Sequence, residues 1–195
     1  VMGEQIIISI SREYGSCGHE IAELVAKELG IHLYDRNLLD AVAKENDISA
    51  EELRKYDEKP KNPFISRSVK GHSNSMEDIL AEMQFEYLQK KAATGESFII
   101  VGRCAETALK EYPDMVKIFV MGDKEHKLEH LMQKYNLSPA EAEAKMNRHD
   151  SKRKAYHNRY SDSKWGDSRG YDLCVNSSKF GIERTVQMIL DCIEG

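Results

Sequence analysis

The sequence predicts an α/β fold in which a parallel β-sheet is covered by helices on both faces. Three observations carry that expectation. Short β-branched runs, at residues 6–10 and 98–101, suit strands buried on both faces. Each is followed by a turn and then by apolar residues at helical spacing, the order that βαβ units require. At 195 residues the chain is long enough for one sizeable core with an inserted lobe.

The elements follow in order. Residues 6–10 read as the first strand. Residues 18–30 read as a helix with Ile21, Leu24, Val25 and Leu29 on one face, and Gly30 suits its C-terminal cap. A short strand is expected at 31–34. Helical pieces follow over 36–58, one opened by Ser49 with Glu52 three residues on, a capping-box pattern. Pro60 and Pro63 end that pattern, and residues 59–75 read as polar loop.

A longer helix is expected over 76–93, then a buried strand over 98–101 that ends at Gly102 and Arg103. Residues 116–121 predict another strand, after which Asp123 caps a helix carrying Leu128, Leu131 and Met132. Ser138, Pro139 and Glu141 form a strong helix start, with proline at the first helical position. The last strand is expected at 171–176. Ile182, Val186, Ile189, Leu190 and Ile193 supply the apolar stripe of a closing helix.

Composition narrows the function classes. Hydrophobic residues are 41% and charged residues 31% of the chain, a globular balance. No apolar run approaches the roughly 20 residues needed to span a bilayer, and no signal-peptide pattern opens the chain. The four cysteines (Cys17, Cys104, Cys174 and Cys192) show no C-x-x-C spacing and read as reduced thiols, so a cytoplasmic location is expected. The net charge of −5 argues against nucleic-acid binding. Residues 145–169 nevertheless hold eight Lys/Arg against three Asp, so the remainder of the chain carries −10. A confined basic segment on an acidic protein points to a small anionic ligand.

The turn from Arg12 to Glu20 is the most informative stretch. A strand, a turn of small residues and a helix aim backbone N–H groups and a positive helix end at one point, as phosphate-holding turns do. Gly15, Ser16, Cys17 and Gly18 are small enough for close backbone approach to an anion, and His19 can add charge. The G-x-x-x-x-G-K-[ST] rule is met only at Gly18, because Glu13, His19 and Glu20 occupy the other fixed positions. In a parallel sheet, ligands bind beyond the carboxyl ends of the strands. The turns at 12–19 and 102–106 are therefore expected to share one cleft.

Arg103 ends a buried strand, where a planar guanidinium suits bidentate phosphate contacts. In the basic segment, Arg148 and Arg153 flank Asp150, which is placed to orient one of them, and Arg159 follows. Lys152, Lys154 and Lys164 read as solvated surface. Arginines brought by a closing segment are worth about 10³–10⁵ in phosphoryl-transfer rate. His126 and His130 have metal-like i, i+4 spacing, but beside Glu125 and Glu129 they read as solvated helix surface. Cys17 and Cys104 are both candidates for the cleft, with buried inert thiols the plainer reading.

Together these pieces resemble the cytidylate kinase-like family, the P-loop nucleoside monophosphate kinases. The resemblance rests on the S-R-x-Y-G-S-x-G-x-E-I turn from Ser11 to Ile21, Tyr34-Asp35, Val101-Gly102-Arg103-Cys104-Ala105 and the stretch through Trp165-Gly166. The strand from Tyr171 to Ser177 and Gly181-x-Glu183 complete it. It implies a three-layer P-loop kinase fold with a five-stranded parallel sheet, a monophosphate-binding lobe over 35–75 and a lid over 145–168. It also implies ATP-dependent phosphorylation of CMP or dCMP with Mg²⁺.

Carried over by position, Arg12 and residues Gly15 to Glu20 would cradle the ATP phosphates, with Glu20 holding the metal through water. Asp35, Arg36 and Arg103 would meet the acceptor. Arg148, Asp150, Arg153 and Arg159 would belong to the lid, with His19, Arg103, Arg148 and Arg153 catalytic. His19 stands where ordinary P-loops have lysine, and Glu20 where they have Ser or Thr. Val101 and Cys104 replace two aspartates of ordinary cytidylate kinases. A bound polyphosphate would favour the imidazolium form of His19. Two other readings fit the same residues: a kinase for another small acceptor, with Arg36, Asp57, Arg67 and Ser68 as candidate contacts, and a catalytically silent nucleotide-binding module.

Overall fold

The computed structural model describes residues 4–57, 68–69, 72–73 and 75–194. Five parallel strands build the main sheet: β1 (Ile7–Arg12), β2 (His32–Tyr34), β5 (Phe98–Val101), β6 (Val116–Met121) and β7 (Leu173–Asn176). Their order is β2-β5-β1-β6-β7, with β1 in the centre, paired to β5 through Ile7–Phe98 and to β6 through Ile8–Val116. Residues 68–73 were expected as loop; they contain instead a two-residue antiparallel pair, β3 (Ser68–Val69) and β4 (His72–Ser73).

Side chains alternate across the sheet because successive strand residues point to opposite faces. Ile8, Ile10, Ile99 and Val101 face α1 (Gly18–Leu29) and α8 (Ser177–Glu194), packing with Ile21, Val25 and Ile189. Ile7, Phe98 and Ile100 face the opposite layer, where α2 (Leu38–Glu45) and α4 (Met76–Ala93) supply Leu38, Val42, Leu80 and Leu88. These are the three layers the resemblance implied. Each fully buried side chain such as Ile8, Ile10 or Ile118 contributes about 1.5–3 kcal/mol.

Helix ends follow the sequence in part. Gly30 caps α1 in the left-handed conformation (φ 64°). Ser138 and Glu141 form the full capping box that starts α7 (Pro139–Tyr160). The box expected at Ser49 and Glu52 is not made: Ser49 precedes α3 (Ala50–Arg54) without a side-chain cap bond. Asp123 likewise makes no cap bond to α6 (Lys124–Tyr135); its carboxylate accepts from the Asn176 amide at 2.9 Å, tying α6 to β7. Gly181 (φ 77°, ψ 170°) interrupts α8 after its first turn. No described helix is long and apolar enough to cross a membrane.

Strand order places the carboxyl ends of β1 and β5 side by side. β1 runs through a turn into α1, and β5 runs through Gly102 to Cys104 into the short α5 (Ala105–Ala108). The two turns anticipated from sequence therefore share one rim of the sheet.

Candidate active site

The first turn is held in shape by its own side chains. The Glu13 carboxylate accepts from the Lys127 ammonium at 2.7 Å and from the Gly122 amide at 3.0 Å. Ser16 was expected on the phosphates, but it is 2% exposed and donates its hydroxyl to the Glu13 carbonyl at 2.8 Å. Its small size lets it tuck beneath the loop, so it shapes the turn rather than the ligand surface. Gly15 (φ 89°) packs against α6, where a Cβ would come 3.1 Å from the Lys127 carbonyl. At Gly18 a Cβ would collide with the Arg12 side chain. The amides of residues 18–20 open α1 and have no helical acceptor, nor any other among the described residues. Free donors and a positive helix end suit an anion here.

The charged side chains of the turn are already engaged. His19 Nε2 lies 3.3 Å from Glu23 and 3.4 Å from Asp35, and the ring is half exposed. Asp35, expected to meet the acceptor, thus also faces the phosphate turn. The Glu20 carboxylate accepts from Lys134 at 2.7 Å. Burial opposes its ionisation, but Lys134 and the neighbouring Cys17 thiol hold its carboxyl below the usual carboxylate range. Burial first, and then Glu20, push the Cys17 thiol up to about 12.

The second turn delivers one strong charge. Gly102, Arg103 and Cys104 are successive left-handed residues (φ 74°, 65° and 51°), a costly backbone for the last two. The Arg103 guanidinium is 5% exposed and paired with Asp57. The Arg12 guanidinium reaches across to this turn: a Cβ on Gly102 would come 2.8 Å from Arg12 Nη1. Both turns line one cleft of about 480 Å³, together with Asp35, Arg36, Arg54 and Asp57. That size and concentration of guanidinium groups suit a small polyanionic ligand.

Helix α7 lies over the first turn. The His149 ring stacks on Tyr14 with centroids 4.1 Å apart and planes 4° from parallel. The Asp150 carboxylate accepts the Tyr14 amide at 2.8 Å, so it positions the first turn instead of orienting a guanidinium. Arg153 donates to the Arg12 carbonyl at 3.2 Å, lies over the Tyr14 ring and lines the cleft. Burial first, then Arg153 and Lys145, lower the His149 pKa to about 4, so the stacked ring is neutral at pH 7.

Arg148 departs from the expected arrangement, and Arg159, expected in the lid segment, lies there outside the cleft. Arg148 is exposed and does not line the cleft. Residues 148 and 153 are five apart, which on a helix turns them about 140° from each other, so one cleft does not take both. Arg159 grips Asp78 of α4 through contacts of 2.6–2.9 Å, joined by the Tyr160 hydroxyl. It anchors the end of α7. Beyond it, Trp165 packs edge-on against Phe119. Arg67 lies outside the described residues, as does most of 58–74 within the expected acceptor lobe.

Several site residues were not nominated from sequence. Tyr14 and His149 pair across 135 positions of chain, which no local pattern reveals. Lys127, Lys134 and His130 come from α6, whose exposed-looking composition hides that one face meets the turn. The i, i+4 spacing of His149 and Arg153 was the available signal, since it puts them on one face of α7.

The fold has known counterparts. A crystal structure of an uncharacterized protein from Eubacterium ventriosum is 37% identical over 98% of this chain and 99% of its own, with a TM-score of 0.77. Shikimate kinase from Bacteroides thetaiotaomicron is 14% identical over 97% of this chain and 99% of its own, with a TM-score of 0.54. A sugar kinase from Janibacter sp. is 16% identical over 97% of this chain and 95% of its own, also at 0.54. These last two show the P-loop kinase fold alone. No functionally curated protein matches the chain. The cytidylate kinase-like family, however, matches residues 7–179. On that span, which takes in both turns, the basic helix and all five strands, the chain belongs to the cytidylate kinase-like family.

Proposed function

We propose that the protein is an ATP-dependent nucleoside monophosphate kinase acting on CMP or dCMP. The observation that supports this best is the single cleft in which the first-turn amides, Arg103 and Arg153 converge. Phosphoryl transfer needs positioning and charge neutralisation more than a proton-abstracting base. The amides at the start of α1 would receive the ATP phosphates, with Arg12 beneath and His19 at the side. Arg103, released from Asp57, would meet the acceptor phosphate, with Arg36 and Asp35 at the same rim. Arg153 would cover the transferring group. The residue 35–75 lobe would hold the acceptor, and the 145–168 segment would close the site, with Arg148 and Arg159 supporting that segment from outside the cleft. The choice of cytidine rests on family membership.

The residues present fit Mg²⁺. Glu20 and Asp35 offer hard carboxylate oxygens on the cleft, and this ion needs only one or two of them beside phosphates and water. Mg²⁺ would supply neutralisation of phosphate charge there. Glu20, tied to Lys134, would act through water.

A second reading is favoured by a specific feature: His19 already faces Glu23 and Asp35, and Glu20 already faces Lys134. A silent nucleotide-binding module would keep those pairs when loaded. Coupled ADP release measured against each common nucleoside monophosphate, shikimate and sugar acids separates these readings. Turnover greatest with CMP or dCMP supports the proposal. Turnover only with a non-nucleotide acceptor reassigns the substrate, and ATP binding without any turnover supports the silent module.

A further inference from the structure

Cys17, Glu20 and His130 come together beside the phosphate turn. One ligand atom from each lies within 4.8 Å of the others. The Cys17 thiol is 3.8 Å from His130 Nε2. In a tetrahedral zinc site, bonds of about 2.3 Å to sulfur and about 2.0–2.1 Å to nitrogen put those two atoms about 3.5 Å apart. A shift of a few tenths of an ångström therefore brings that pair to ligating separation, and Glu20 offers its carboxylate within the same 4.8 Å cluster. Glu20 adds a second sign: its Oε1 takes the Lys134 bond, while its buried Oε2, in the same cluster as the Cys17 thiol, makes no bond of ordinary hydrogen-bond length among the described residues.

We propose that these three side chains form a binding site for a zinc-class transition-metal ion. Thiolate and imidazole ligands select zinc over Mg²⁺, which prefers all-oxygen surroundings. Cys17 would bind through Sγ, His130 through a ring nitrogen and Glu20 through Oε2. Lys134 would stay on Oε1 as the outer partner that orients the carboxylate. Binding exchanges the Cys17 S–H proton, released to solvent, for a sulfur–metal bond, with no change of oxidation state. All three residues line the cleft, so the fourth position opens towards it.

The site links the first turn of α1 to α6 across the phosphate turn. His130 takes part without His126, which faces Asp123 on the helix exterior. Occupancy by zinc would also take the carboxylate proposed above for Mg²⁺, so the two ions would compete through Glu20. The site itself does not depend on the kinase reading.

The test is a Co²⁺ titration of the full chain, without nucleotide, followed by displacement with Zn²⁺. The expected result is one equivalent bound, a near-ultraviolet thiolate-to-cobalt band and its loss on adding Zn²⁺. Cys17→Ser should abolish the band, and His130→Gln should weaken Zn²⁺ binding at least about 10-fold. Cys192→Ser, at an exposed thiol, should change nothing. A missing band, a band that survives Cys17→Ser, or one lost on Cys192→Ser would overturn the proposal. If circular dichroism shows Cys17→Ser unfolded, the His130→Gln affinity decides, and an unchanged value counts against the site. Because the readout is metal binding, failure of the kinase reading leaves this result intact.

Discussion

The two turns at the sheet rim have the same outline and opposite contents. Each leaves a buried strand, passes a left-handed glycine and ends on a left-handed cysteine that precedes a helix. The first turn opens into a 12-residue helix whose leading amides, residues 18–20, have no acceptor among the described residues, while its side chains hold the loop in shape. The second opens into a four-residue helix and offers one buried guanidinium. One turn thus supplies backbone donors and the other a side-chain charge. The proposed kinase reading would use that division of labour, with a phosphate chain on the first turn and an acceptor phosphate on the second, because amides can bind polyphosphate without a mobile side chain and arginine can bind it bidentately.

The largest expected effect removes the second turn's contribution. Arg103→Ala should lower kcat/KM for phosphotransfer by about 10³-fold or more in coupled assays, with protein that still folds. Arg103→Lys should recover only part, since an ammonium lacks the planar fork. An Arg103→Ala enzyme of nearly normal activity would show that the two turns do not divide the work in this way.

Damage to the first turn should register in stability. Glu13→Ala leaves the Lys127 ammonium, 9% exposed, without its carboxylate. Breaking a buried pair costs about 3–5 kcal/mol, and because Glu13 is itself a quarter exposed the loss should be nearer about 2 kcal/mol in urea unfolding. Gly18→Ala forces a Cβ into Arg12 and should cost about 1–3 kcal/mol by the same measurement. The matching change at Gly102 meets only the flexible end of Arg12, so its cost should come from the positive φ and be the smaller, about 1–2 kcal/mol.

The smallest effect concerns the helix above the first turn. His149 has a folded pKa of about 4 against an ordinary 6.5, so the unfolded chain binds the proton more readily between those values. Stability from this residue is fully present above pH 6.5 and falls as pH drops towards 4. Urea titrations at several pH values should show that loss, and His149→Asn should flatten it.

Much of the frame was legible because it is written locally. Strand runs such as 98–101, the Ser138–Glu141 box and the small residues before Gly18 are short-range signals, and each appears where it was expected. The placement of Arg103 and Arg153 on the cleft was legible, because one ends a buried strand at the rim and the other lies on the basic helix. Arg148 does not line the cleft: helical phase, which a count of charge leaves out, turns it away from Arg153. Ser16 was misread because small size serves burial as well as close approach. The pairings of Glu13 with Lys127, His19 with Asp35 and Cys17 with His130 join separate elements, so only packing could reveal them.

The central claim is that a polyphosphate sits between the two turns. A crystal structure with a bisubstrate analogue joining adenosine and cytidine through a phosphate chain tests it most directly. The account predicts phosphate oxygens about 2.7–3.2 Å from amides of residues 15–20, with the Arg103 guanidinium moved from Asp57 onto the chain. Phosphates bound elsewhere, with Arg103 still held by Asp57 and the first-turn amides facing only water, would contradict it.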